Sequence, residues 1–125
     1  MYLLHASSMT TYEEIKGFVD AGGGVATFAA GELREAQGAG RLTERINEGI
    51  LRSLNALGMG AVPNEAYLMP TSQHDEVRVY DKASSIGRII EAALAPGDEN
   101  DRYLVETIDT TAADIVEQIR RLVAE

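Results

Sequence analysis

The chain has 125 residues and no Cys or Trp, a length that suits one core and a composition that excludes a disulfide scaffold, a thiolate metal site and a cysteine nucleophile. With 45% apolar and 25% charged residues it reads as globular rather than disordered. A formal net charge of −9 argues against a phosphate-binding surface spread over the whole molecule.

In chain order, Tyr2-Leu3-Leu4 is a short apolar run, a small strand or an ordered arm. Thr10 with Glu13, or Thr11 with Glu14, has capping-box spacing at the start of a helix whose apolar face is Tyr12, Ile15, Phe18 and Val19. Gly22-Gly23-Gly24 ends it, and Val25-Ala26-Thr27-Phe28 reads as a strand. Residues 29–37 read as a short helix and Gly38-Ala39-Gly40 as a turn. Residues 42–57 carry the strongest pattern, a helix with Leu42, Ile46, Ile50, Leu54 and Leu57 on its core side. Gly58-Met59-Gly60 stops this helix. Tyr67-Leu68-Met69 and Val77-Arg78-Val79-Tyr80 read as two strands flanking the polar stretch 70–76. Ser84 or Ser85 caps a helix running through Leu94. Residues 96–102 read as an acidic linker, 103–108 as a strand that could pair with Tyr2–Leu4, and Thr110 or Thr111 as the cap of a last helix bearing Ile115, Ile119, Leu122 and Val123.

This order, helix, strand, short helix, turn, long helix and two strands, matches a winged helix-turn-helix domain. The segment ELREAQGAGRLTERINEGILRSLNALGMG resembles the helix pair of that superfamily, and AYLMPTSQHDEVRVY resembles its wing. The resemblance covers residues 11–82 and does not reach a named subfamily. It implies a mainly α fold with a small antiparallel β wing (α+β), with additional C-terminal helices. The expected organisation is a winged-helix-like domain with an N-terminal arm over 1–95, the linker 96–102, and a C-terminal extension over 103–125. The apolar stripe of that extension either docks on the core or serves as a dimerisation helix.

Charge is unevenly placed. Residues 33–88 carry seven bases and seven acids, while 89–125 carry three bases and nine acids. The resemblance makes 42–57 a recognition helix, with Glu44, Arg45, Glu48, Leu51, Arg52 and Asn55 outward. Arg45 and Arg52 lie two turns apart on one stripe, suited to phosphate or guanine edges. The competing reading is equally concrete: Glu48 lies three after Arg45 and four before Arg52, so it can neutralise both. Arg34 and Arg41 would flank phosphates, and Gln73, His74, Arg78 and Lys82 would extend the contact from the wing. Asp75, Glu76 and Asp81 oppose that role.

Other chemistry lacks support. Gly22-Gly23-Gly24 is followed by Val-Ala-Thr rather than Gly-Lys-Ser, so there is no P-loop. Gly38-Ala39-Gly40 is a turn rather than an anion cradle. His5 and His74 share no ligand spacing, and no nucleophile elbow accompanies them. Residues 98–101 lack the order of an EF-hand loop. No metal, cofactor or catalytic activity is expected. No apolar run spans a bilayer and no basic segment precedes the first apolar residues, so a cytoplasmic protein without a membrane partner is expected. Two functions remain in contention: a DNA-binding regulator with double-stranded DNA as partner, and an acidic winged-helix module that binds a protein instead.

Overall fold

The structure, a computed structural model, describes residues 10–124. It contains α1 (Tyr12–Ala21), β1 (Val25–Ala29), α2 (Ala30–Gln37), α3 (Glu44–Ala56), β2 (Met59–Val62), a 3-10 turn (Ala66–Leu68), β3 (Glu76–Asp81), α4 (Ser85–Leu94) and α5 (Asp98–Ala124). This is an α+β fold: helices predominate over one three-stranded antiparallel sheet with β3 in the centre, in the order β1-β3-β2. The chain divides into two compact units after Gly87, within α4.

In the first unit, helix starts follow local chemistry. Thr11 accepts from the Glu14 amide while the Glu14 carboxylate accepts from the Thr11 amide, so of the two capping boxes read from sequence the Thr11–Glu14 pair forms. Thr43 Oγ1 accepts from the Ile46 amide at 3.1 Å and caps α3. Gly38 ends α2 in the left-handed conformation (φ 74°), and the amide of Ala39 reaches back to the Arg34 carbonyl.

One face of the sheet carries Phe28, Val77, Val79, Met59 and Ala61, packed with Ile15 and Val19 of α1, Leu33 of α2, and Ile50 and Leu54 of α3. Phe18 meets Phe28 edge-on, with ring centroids 6.5 Å apart. The strand register places Phe28 opposite Val77 and Ala61 opposite Val79, so cross-strand neighbours share the core face. The opposite face carries Thr27, Arg78, Val62, Gly60 and Tyr80; the Tyr80 ring lies over Gly60, where any side chain would collide with it.

A polar clamp joins the three helices. The Tyr12 hydroxyl donates to Oε1 of Gln37, and Ser53 Oγ donates to the same oxygen at 3.2 Å. Gln37 therefore ties the end of α2 to α1 and α3, and Gly49 leaves room for its amide. Burial holds the Tyr12 phenol above its ordinary pKa of 10.0, partly offset by its hydrogen bond with Ser53. The unfolded chain ionises first on raising pH. The stability associated with the neutral phenol is thus complete below pH 10 and lost above it. In alkaline urea titrations, Tyr12→Phe should flatten the loss of stability above pH 10, and an identical slope in both proteins would refute this.

Several elements differ from the sequence reading. The partner of β3 in the β2–β3 hairpin is Met59–Val62, and Tyr67–Leu68 belong to the 3-10 turn rather than a strand. Both edges of β3 are taken, by β1 and β2, so these residues cannot pair with β3 as the sequence reading expected. Residues 103–108 are helical, as are 98–102 of the expected linker, all within the 27 residues of α5. The Thr111 hydroxyl donates to the Thr107 carbonyl inside that helix instead of capping a new one. The expected segment Tyr2–Leu4 and His5 lie outside the described residues.

Candidate nucleic-acid interface

Helix α3 has two distinct sides because its apolar residues recur every three to four positions. Ile50 and Leu54 are fully buried, and Leu42, Ile46 and Leu51 pack partly against the core. Leu51, expected outward, is therefore half-buried, and Leu57, expected inward, is 40% exposed just past the helix end. The outward stripe is Glu44, Arg45, Glu48, Arg52 and Asn55, all exposed. Seven residues separate the two arginines, placing them about 10 Å apart along the axis. Among the described residues neither is within 4 Å of a carboxylate, so the local pairing through Glu48 does not form. At the C-terminal end of the stripe Lys82 Nζ donates to Asn55 Oδ1 at 2.6 Å, and the Lys82 amide donates to the Gly58 carbonyl. A cation there complements the negative end of the helix.

The connection from β2 to β3 does not project as a free ribbon. Met69 inserts into the core. The side-chain amide of Asn47, a buried residue of α3, donates to the Pro70 carbonyl at 3.2 Å. The first amides of α2 are taken by the same connection: Gly31 donates to Gln73 O and Ala30 to Asp75 O. This leaves no open anion site at the start of α2, whose remaining cap is the Glu32 carboxylate accepting from the Ala29 amide.

These bonds sort the residues expected to contact nucleic acid into three places. Arg45, Arg52 and Lys82 share the α3 stripe. Arg34, Gln73 and His74 gather beside the start of α2, where Arg34 Nη1 donates to Gln73 Oε1 at 3.1 Å and the three line one open depression. Arg41 is exposed in the turn leading into α3. Arg78 stands apart. It is opposite Thr27 and Val62 on the sheet face that does not pack against α1–α3, so the sheet and the helical layer separate it from the α3 stripe.

No protein-family model matches the chain, and no curated protein or solved structure matches it either. Among the described residues no three His, Cys, Asp or Glu side chains converge to hold a metal, and no helix is long and apolar enough to cross a membrane.

Asn47 is the residue that sequence reasoning passed over. It lies three before Ile50 and seven before Leu54, on the core side, so the same periodicity that identified those leucine and isoleucine positions marks it as an inward polar group. Its role is to anchor the β2–β3 connection to α3.

Proposed function

We propose that residues 11–82 are a winged helix-turn-helix domain that binds double-stranded DNA without catalysis, as a regulator of transcription, with α3 in the major groove. The supporting observation is the exposed Arg45–Arg52 pair on α3, free of carboxylate partners among the described residues. Element order and the β1-β3-β2 sheet fit that fold. Arg41 and Lys82 sit before and after the helix, placed to take flanking phosphates. Arg34, Gln73 and His74 supply a second contact beside α2, while Arg78 takes no part. The acidic balance of the chain predicts weak, steeply salt-dependent affinity.

The test is fluorescence anisotropy with a labelled duplex of mixed sequence at low salt. Binding should fall with rising salt, and Arg45→Ala with Arg52→Ala should lower affinity roughly tenfold to a hundredfold. Absence of any binding at low salt, or affinity untouched by the double substitution, overturns the reading.

A protein-binding role without nucleic acid is favoured by a different observation. Tyr67 and Leu68 are 69% and 57% exposed on the 3-10 turn that packs beside α3, and Glu44 and Glu48 share the arginine stripe. Affinity for a defined protein partner that survives the double arginine substitution and is lost in Tyr67→Ala with Leu68→Ala would select this alternative.

A further inference from the structure

We infer that α5 pairs with α5 of a second copy of this chain, as an antiparallel two-stranded coiled coil. Val105, Ile108, Ala112, Ile115, Ile119 and Leu122 are spaced 3, 4, 3, 4 and 3 residues apart. That alternation is the seam of a heptad repeat, which only a second helix of the same pitch fills with knobs in holes. Every residue from Ile108 to Val123 is exposed, Leu122 by 75% and Ile108 by 65%.

The composition of this stretch favours a partner. Ile108, Thr110, Thr111, Ile115, Val116, Ile119 and Val123 are β-branched and Asp109 and Asp114 are weak helix formers, which offsets the support from Ala112, Ala113, Glu117, Gln118, Arg120, Arg121 and Leu122. Packing makes up the difference, and the seam is where packing is available.

The seam is self-complementary under a twofold axis across the helix. Antiparallel pairing sets Val105 against Leu122, Ile108 against Ile119 and Ala112 against Ile115, joining the two kinds of seam position as antiparallel coils require and placing a small residue opposite a large one. Charge selects the same orientation. The first half of α5 holds Asp98, Glu99, Asp101, Glu106 and Asp109 against Arg102, and the second half holds Arg120 and Arg121 with Asp114 and Glu117, Arg121 being bridged to Glu117 at 3.5 Å. Parallel pairing stacks the acidic halves on each other. Antiparallel pairing brings the arginine end of one helix level with Glu106 of its partner. The inference is independent of what α3 binds.

Sedimentation equilibrium of the full chain should give a dimer at micromolar concentration, and Ile115→Asp with Ile119→Asp should halve the mass. Thr110→Asp, on the outer side of the coil, should leave the dimer intact. Because the chain has no Cys, orientation can be read by crosslinking without the apolar-to-acid variant. Val105→Cys and Leu122→Cys proteins, mixed and oxidised, should form the mixed disulfide, with little of either homodisulfide. A monomer at all concentrations, a dimer that survives the double substitution, or Val105→Cys linking mainly to itself overturns the proposal.

Discussion

Gly87→Ala is expected to destabilise the first unit by about 3 kcal/mol or more, lowering its melting temperature by roughly 10–20 °C. Gly87 is the third residue of α4, and its amide donates to Ser84 Oγ at 2.9 Å while that hydroxyl donates to the Asp81 carbonyl at 2.7 Å. This pair of hydrogen bonds through the serine hydroxyl holds the sharp corner from β3 into α4. A methyl group on Gly87 would lie 1.7 Å from the Asp81 oxygen, a backbone atom fixed at the end of the central strand. Neither side can yield without breaking the cap or bending β3. Gly17→Ala is the control: the glycine is exposed within α1 with nothing within 4 Å of the added methyl, so stability should rise by up to about 1 kcal/mol. Thermal unfolding followed by circular dichroism checks both, and an unchanged melting temperature for Gly87→Ala would show that the corner relaxes freely.

Leu54→Ala and Arg52→Ala should part company although their residues are two apart. Leu54 is fully enclosed between α3 and the sheet, so truncation removes a buried side chain and leaves a cavity, at a cost of about 3 kcal/mol. Arg52 is exposed and makes no ion pair among the described residues, so its removal should change stability by less than about 0.5 kcal/mol. Urea unfolding measures the difference. Equal losses would mean that α3 is not seated as described. A stable Arg52→Ala protein is also what makes the test of the proposed DNA binding interpretable.

Periodicity and caps made the helical half of the first unit legible. The capping-box spacing at Thr10–Thr11 marks the start of α1, the apolar repeat marks α3 and the Ser84-Ser85 pair marks α4, because each signal rests on chemistry within a few turns of chain, whereas the Thr43 cap of α3 emerges only in the structure. The sheet was harder to read. Met59-Gly60-Ala61-Val62 carries two small residues and no alternation, and it becomes a strand because β3 offers an edge that Val62 and Ala61 can pair with. Tyr67-Leu68-Met69 has the stronger strand composition but β2 already holds the place beside β3, and Met69 turns into the core instead. The same reasoning covers Tyr103–Ile108, whose strand-like residues are carried in a helix begun by the acidic turn at Asp98. Of the site, the exposure of Arg45 and Arg52 followed from helical geometry, whereas the placement of Arg78 on the far face depended on the strand register, which only the assembled sheet fixes.

The central position of β3 also sets an order of events during synthesis. β1 and β2 do not touch each other as ladder partners; each bonds only to β3, and β1 precedes it by some fifty residues of chain. While the polypeptide is emerging from the ribosome, both earlier strands wait with bare edges until Asp81 is released. Helices α1 to α3, of 10, 8 and 13 residues, are short for helices standing alone, and the face each buries is supplied in part by that sheet. Closure of the sheet is therefore the late, concerted event, and a nascent chain stalled before Glu76 has neither ladder.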